Sequence, residues 1–426
     1  MDLPIPPAPL DDAALHPETL AISHGYDPQS CFGAAKPPLF LSSTFTYASA
    51  AHAKAAHAAF FGGDGPAPGE ESGFIYARLD HPNLGMVQRR LAALDGAEDA
   101  AAFASGMAAV SAVLLAFARP GDAVLHTQPI YGGVDWLLGT QLAEFGVHAV
   151  PVEDAVSEAS ADAAAEAAMA QGPVALIMAE TPANPTAGVA DIAVLARVAQ
   201  RIGERQGRRP LLVVDNTFLG PFLQSPLRHG ADLCLTSLTK YAGGHSDLLA
   251  GGVSGATGPV GALKRLRTML GSPLDPHGCW LLLRSFETMA LRTERACANA
   301  ERVARVLRDH PKVAGVTYLG FLAPGSPARA VYDRQCRGAG STFSFTLRGG
   351  EAEAFCLLDA LRVLRLAVSL GGTETLICHP ASTTHYPVPR ERREAVGILD
   401  GTLRVSVGIE HPDDLVRDLA RALEAV

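Results

Sequence analysis

The run Leu211-Leu212-Val213-Val214-Asp215-Asn216-Thr217 is apolar without alternation and ends on an acid. A strand half exposed to water would alternate; an unbroken run is what a strand covered on both faces requires. The same form recurs in Val174–Met178 and Asp232–Ser237, with short β segments at Ala123–His126 and Val147–Val152. Between them lie helical stretches: the apolar Gly106–Ala118, Thr140–Phe145 and the Ala-rich Ser157–Gln171. Strand and helix alternate in this way from about 85 to 255. That is βαβ repetition, and it predicts a doubly wound α/β domain with a mostly parallel sheet.

Outside this region the pattern changes. Helical stretches Glu287–Arg308 and Glu351–Leu361 alternate with strands at Ser341–Leu347 and Leu403–Val407, which predicts a smaller C-terminal α+β domain over 286–426. Residues 1–75 read as irregular, with Pro and Gly clustered at Pro4–Pro9 and Gly62–Gly69, and are expected to form an arm that packs on something else. The α/β domain then spans 76–285.

Composition narrows the function classes. A chain of 426 residues has room for two or three cooperating cores. With 48% hydrophobic and 19% charged residues it is a globular rather than a disordered chain. A net charge of −9, a pI near 5.9 and the lack of a basic stripe argue against a nucleic-acid binder. Met1–Leu10 has no Lys or Arg and no apolar core of a secretory signal, and apolar runs break well before the ~20 residues of a membrane span, so a cytoplasmic protein is expected. The seven cysteines are scattered without a CxxC pair, and no His or Cys spacing suits a metal; neither zinc nor a disulfide framework is expected.

Four short stretches carry chemistry. In Thr236-Ser237-Leu238-Thr239-Lys240-Tyr241-Ala242-Gly243-Gly244-His245 a lysine follows a buried strand. Desolvation there favours its neutral, nucleophilic form, which condensation with an aldehyde requires, and the hydroxyls of Ser237 and Thr239 suit phosphate oxygens. Asp215 ends a strand where α/β folds build sites, and a carboxylate there would keep a pyridine nitrogen protonated. Ser105-Gly106-Met107 opens a helix whose N–H groups could hold a phosphate. Tyr131, in Pro129-Ile130-Tyr131-Gly132-Gly133, could stack on a ring. Each has a plain alternative: a solvated lysine, a turn aspartate, an ordinary helix start, a core tyrosine. Their order along one chain is what points to pyridoxal 5′-phosphate (PLP).

With these motifs the chain resembles the PLP-dependent trans-sulfuration (Cys/Met metabolism) enzymes from about Pro37 to Glu410. The likeness is most specific in Ser237–Tyr241, Ser369–Leu376, His379–His385 and Leu403–Gly408. It implies the aspartate aminotransferase-like fold, fold type I, with PLP as cofactor. It implies that Lys240 carries PLP as a Schiff base and shuttles protons, that Asp215 pairs with the ring nitrogen, and that Tyr131 stacks on the ring. Ser105, Gly106, Met107, Thr217, Ser237 and Thr239 would complete the cofactor cradle. Asn184, Ser369 and Arg404 would hold the substrate carboxylate. Tyr76 and Arg78 would reach the phosphate of a neighbouring subunit, making the site composite and the protein a homodimer or homotetramer.

Three departures from the family pattern matter. His81-Pro82-Asn83 stands where Asn-Pro-Thr is usual, the segment 62–72 is enlarged, and the substrate markers disagree. Gly133 replaces the cysteine of the methionine γ-lyases, as in the synthases, whereas Val368 replaces the glutamate of the cystathionine enzymes, as in the methionine γ-lyases. We give Val368 more weight, because an acid there would meet the distal ammonium of cystathionine. The expectation is a γ-carbon lyase of methionine γ-lyase type, acting on a small-molecule sulfur amino acid. The alternatives are γ-replacement by a cystathionine γ-synthase or O-acylhomoserine sulfhydrylase, and a PLP-fold binding protein without chemistry.

Overall fold

The computed structural model describes residues 15–61 and 73–426. The Pro4–Pro9 and Gly62–Gly69 clusters and the enlarged 62–72 segment lie outside the described residues. The larger sheet contains β1 (Asp99–Phe103), β2 (Ala123–Thr127), β3 (His148–Val152), β4 (Val174–Glu180), β5 (Leu211–Asp215), β6 (Leu233–Thr236) and β7 (Gly251–Gly255). Their order is β1-β7-β6-β5-β4-β2-β3. Strands β2 to β6 pair in parallel, while β7 runs antiparallel to both β6 and β1. Every strand except β7 therefore points its carboxyl end to the same edge.

The opening run behaves as its composition requires. Val213 and Leu211 face a core layer built with Val110, Val113 and Leu114 of the helix Gly106–Phe117. Leu212 and Val214 face the opposite layer, with Leu195, Val198 and Ile202 of the helix Ile192–Gln206. A strand covered on both sides has no polar face to show, hence no alternation.

A second sheet, order β10-β11-β12-β9-β8, is formed by β8 (Val313–Thr317), β9 (Thr342–Leu347), β10 (Arg365–Leu366), β11 (Leu376–Cys378) and β12 (Thr402–Ser406). It packs on the helices Met289–Arg308 and Pro412–Glu424 through Val303, Leu307, Leu415 and Leu419. Among the described residues no helix is long and apolar enough to cross a membrane.

One sequence expectation needs correction, and one departure from the family pattern finds its structural reason. The N-terminal stretch is not uniformly irregular: Ala50–Phe60 is a helix, capped by the Ser49 hydroxyl accepting from the His52 N–H. Alanine-rich sequence after a serine cap is a helix signal that the surrounding Pro and Gly obscured. The unusual His81-Pro82-Asn83 is a working helix start. His81 Nδ1 accepts from the Leu84 N–H at 3.2 Å and its Nε2 meets Leu274 O at 3.0 Å. Asn83 fastens the incoming chain, donating to Pro38 O and accepting from the Phe40 N–H.

Candidate active site

The aligned carboxyl ends of β1, β2, β4, β5 and β6 deliver, in turn, Ser105–Met107, Tyr131, Glu180, Asp215 and Ser237–Lys240 to one cavity of about 670 Å³. The second sheet closes it with Val368, Ser369 and Arg404. Strand ends at a point where neighbouring connections diverge leave a crevice by construction, which is why α/β folds bind ligands there. Ser105, Gly106, Met107, Tyr131, Asn184, Asp215, Thr217, Ser237, Thr239, Lys240, Ser369 and Arg404 all line this space. Tyr76 and Arg78 do not: Tyr76 is exposed, and Arg78 lies near its ring while donating to Thr268 O.

Lys240 is withdrawn from solvent, and its Nζ donates to Ser369 Oγ at 2.9 Å. Burial lowers its pKa from the ordinary lysine value, and the Arg404 charge lowers it further. The solvated-lysine alternative fails. So does the core-tyrosine one, since Tyr131 is 45% exposed on the cavity wall.

Arg404 is 3% exposed and has no carboxylate partner among the described residues. Nη1 donates to Asn184 Oδ1 at 3.0 Å and Nη2 to Ser369 O at 2.7 Å, while Nε has no partner. A buried guanidinium balanced only by neutral oxygens destabilises a fold unless an anion arrives. Ser369, which both Lys240 and Arg404 use, holds a φ of 87°, uncommon for a residue with a side chain. The turn is pressed close: a Cβ on Gly371, at φ 77°, would stand 2.7 Å from the Tyr241 nitrogen.

At the floor two acids sit on paired strands, since Asp215 is the register partner of Glu180. Burial pushes the Asp215 carboxyl up, against the Thr217 hydroxyl and N–H, which favour its charge. Burial, followed by the charge of Asp215, pushes Glu180 up to about 8. Among the described residues no cation acts on Asp215 to relieve it.

Matching the whole chain against known families decides its membership: residues 18–424 match the Cys/Met metabolism PLP-dependent enzyme family. The chain belongs to this family. It is 39% identical over 409 residues to the L-methionine gamma-lyase of Pseudomonas putida and 37% identical over 411 residues to that of Pseudomonas deceptionensis, in both cases covering 96% of this chain and 97% of the relative. Among solved structures, the cystathionine gamma synthase of Xanthomonas oryzae pv. oryzae in complex with aminoacrylate and cysteine superposes with a TM-score of 0.85 at 34% identity, covering 96% of this chain and 98% of that one. The fold is thus the PLP fold type I.

The cavity suits the cofactor of a Cys/Met metabolism PLP-dependent enzyme. Ser105 caps the Ala108 N–H at 3.0 Å, and the Gly106 and Met107 N–H groups stand at the open end of a helix of 12 residues, an anion site by its dipole. A Cβ on Gly106 would lie 2.9 Å from Ser237 Oγ, so only glycine keeps this cradle open. Among the described residues the acid pair lacks a cation, which a protonated heterocycle would bring, and burial moves Lys240 toward the neutral form that takes an aldehyde. The Thr217 hydroxyl links the two ends, accepting the Ser237 N–H at 2.8 Å while favouring the Asp215 charge.

Sequence reasoning missed Glu180. Its two carboxylate oxygens accept the Tyr131 N–H at 2.6 Å and the Asn184 N–H at 2.7 Å. The signal was present: β4, like β5, is an apolar run that ends on an acid. Leu249, Leu370, Phe218 and the Thr383-Thr384 pair also line the cavity.

Proposed function

We propose that this enzyme eliminates the γ-substituent of a thioether amino acid, with L-methionine and water giving 2-oxobutanoate, ammonia and methanethiol. One observation carries the choice: Val368 is 54% exposed on the cavity wall, with Leu249 and Leu370 as neighbouring lining. Of the acids that line the cavity, Glu180 is spent on backbone N–H groups, and Asp215, which accepts the Thr217 N–H, is the partner proposed for the ring nitrogen. An apolar wall accepts a methylthio group and offers nothing to the distal ammonium of cystathionine. The likeness to L-methionine gamma-lyases supports the same reading.

PLP bound here supplies an electron sink that acidifies the α- and β-carbon protons of the substrate. Arg404, with Asn184 and Ser369, orients the substrate by its carboxylate. Lys240 Nζ, moved toward its neutral form by burial, takes the α proton and redelivers protons within the cavity. Tyr131, on the cavity wall, would shield the reacting carbons from water and offers its hydroxyl as a proton donor to a departing thiolate. Asp215, held by Thr217, sustains the charge of the ring nitrogen.

The arm over 1–75, the PLP-binding domain over 76–285 and the C-terminal domain over 286–426 belong to this reading, and the cavity falls between the last two. Tyr76 and Arg78, away from their own cavity, are left to serve the phosphate of a second subunit, which makes the working unit a homodimer or a tetramer of dimers. We assign the protein to the cytoplasm.

A γ-replacing reading rests on Gly133. A Cβ there would come within 2.7 Å of the Tyr131 ring, so the cysteine of the methionine γ-lyases has no room beside this tyrosine. Purified protein is incubated with L-methionine alone, then with an O-acylhomoserine and a thiol. Methanethiol and 2-oxobutanoate from the first mixture support elimination; turnover confined to the second establishes replacement.

A further inference from the structure

We infer that Glu180 is a positioning residue that sets the ring-stacking tyrosine and the carboxylate-binding arginine from a single buried side chain. The inference rests on the proposed roles of Tyr131 and Arg404 and deepens them. Glu180 is 6% exposed at the end of β4, and its backbone N–H donates to Thr127 Oγ1 at 3.1 Å, which fixes the strand end. One carboxylate oxygen accepts the N–H of Tyr131, the residue that opens the helix Gly132–Leu137. The other accepts the N–H of Asn184, whose side-chain oxygen in turn accepts from Arg404 Nη1 at 3.0 Å. From Arg404 the connection continues through Ser369 O at 2.7 Å to Ser369 Oγ, which accepts from Lys240 Nζ at 2.9 Å. Hydrogen bonds thus join the tyrosine wall to the lysine through the carboxylate clamp, and Glu180 is the member that grips both halves.

The geometry asks for two acceptor oxygens on one side chain. Both contacts are backbone donors, so the side chain must present two acceptors. Glutamine presents one acceptor and an NH₂, which would face an N–H with another N–H and leave that donor buried without a partner. Aspartate is one methylene too short to span both. The acid is kept next to Asp215 although that neighbour and burial both oppose its charge, a conflict that stability alone would remove.

The test compares wild type, Glu180→Gln and Asn184→Ala, each reconstituted with PLP, using two inhibitors that cannot undergo γ-elimination: L-norleucine, which has the carboxylate, and pentylamine, which lacks it. Glu180→Gln is expected to weaken norleucine about 10- to 100-fold, the effect of one buried donor left unpaired near a charged bond. Pentylamine should change by less than about threefold on the same scale of effects. The visible circular dichroism of bound PLP should change as Tyr131 shifts. Asn184→Ala removes the acceptor that Arg404 uses and leaves the Tyr131 contact of Glu180: it should lose norleucine selectivity while keeping the wild-type dichroism. A Glu180→Gln protein with the wild-type inhibitor ratio and dichroism overturns the inference. If Glu180→Gln fails to fold, Asn184→Ala with a wild-type inhibitor ratio overturns it. A wild type with no preference for norleucine, or no PLP on Lys240, brings down the underlying reading instead.

Discussion

Replacing Arg404 by alanine tests the carboxylate clamp directly. The side chain is buried, carries an unpartnered Nε, and spends its two terminal nitrogens on the neutral oxygens of Asn184 and Ser369. A substrate carboxylate entering the cavity would gain one or two charge-assisted hydrogen bonds, each worth about 1.5–3 kcal/mol in a desolvated site. Their loss is expected to lower kcat/KM for an α-amino acid by about 2–5 kcal/mol, or roughly 30- to 5,000-fold at 1.36 kcal/mol per decade. The protein itself should not suffer equally, since no carboxylate is orphaned when the guanidinium goes. Arg404→Lys keeps the charge but not the planar fork, so it cannot reach Asn184 and Ser369 together and should fall between. Steady-state kinetics on both variants, with the ratio of norleucine to pentylamine inhibition constants, separates binding of the carboxylate from other damage. The ratio should collapse toward one in Arg404→Ala. A variant that keeps the wild-type ratio would place the clamp elsewhere and refute the reasoning.

Lys240→Ala should retain its melting temperature and lose kcat by at least the ~10²–10⁴-fold typical of a general base, with borohydride reduction no longer labelling the peptide around 240. Gly106→Ala should weaken PLP about 10- to 100-fold in equilibrium dialysis, because the added methyl lies 2.9 Å from Ser237 Oγ and overpacking of this kind costs about 1–3 kcal/mol. Asp215→Asn should lower activity yet raise the melting temperature of PLP-free protein, by roughly 1 °C for each kcal/mol of repulsion on Glu180 that is relieved. His385 is held neutral, its pKa lowered from 6.5 to about 4 first by burial and then by the Arg404 and Arg393 charges. The unfolded chain therefore binds the extra proton between those values, and stability that is complete above pH 6.5 is lost as pH falls toward 4, by up to about 3 kcal/mol. Chemical denaturation across that range should show a shallower loss in His385→Gln; identical slopes would exclude the histidine as the cause.

What could be read from the residues alone depended on whether the cause was local. The run Leu211–Asp215 announces a strand covered on both faces because burial writes itself into composition, and the site residues at 215 and 240 follow from its end and that of β6. Two strands carried no such mark. β1, Asp-Ala-Ala-Ala-Phe, has the composition of a helix, and β7, Gly-Gly-Val-Ser-Gly, has that of a loop. The glycines of β7 answer to distant neighbours: a Cβ on Gly251 would lie 2.2 Å from Ser105 O, and one on Gly255 2.5 Å from Asp232 O. Such demands come from tertiary packing and leave no periodicity to read. Glu180 escaped for a subtler reason. The apolar run reads as ending at Met178, and an isolated glutamate after a strand reads as a solvated end. Only the pairing of β4 with β5 sets it beside Asp215 and reveals that it is buried.

The features of this molecule that oppose folding gather in one place. A guanidinium without a carboxylate, a lysine denied water, two acids on adjacent strands and a serine at φ 87° would each be replaced if stability were the only demand. They are contributed by segments far apart in sequence, so no single local accident explains them. Their signs are also sorted. The acids lie at the ends of β4 and β5, while Lys240 and Arg404 converge on Ser369 from opposite sheets. A ligand that satisfied all of them would carry a cation at one end and anionic groups at the other. A protonated pyridine ring with its phosphate, joined by an amino acid carboxylate, has that distribution, and the strain is the trace of the molecules the cavity was built to receive.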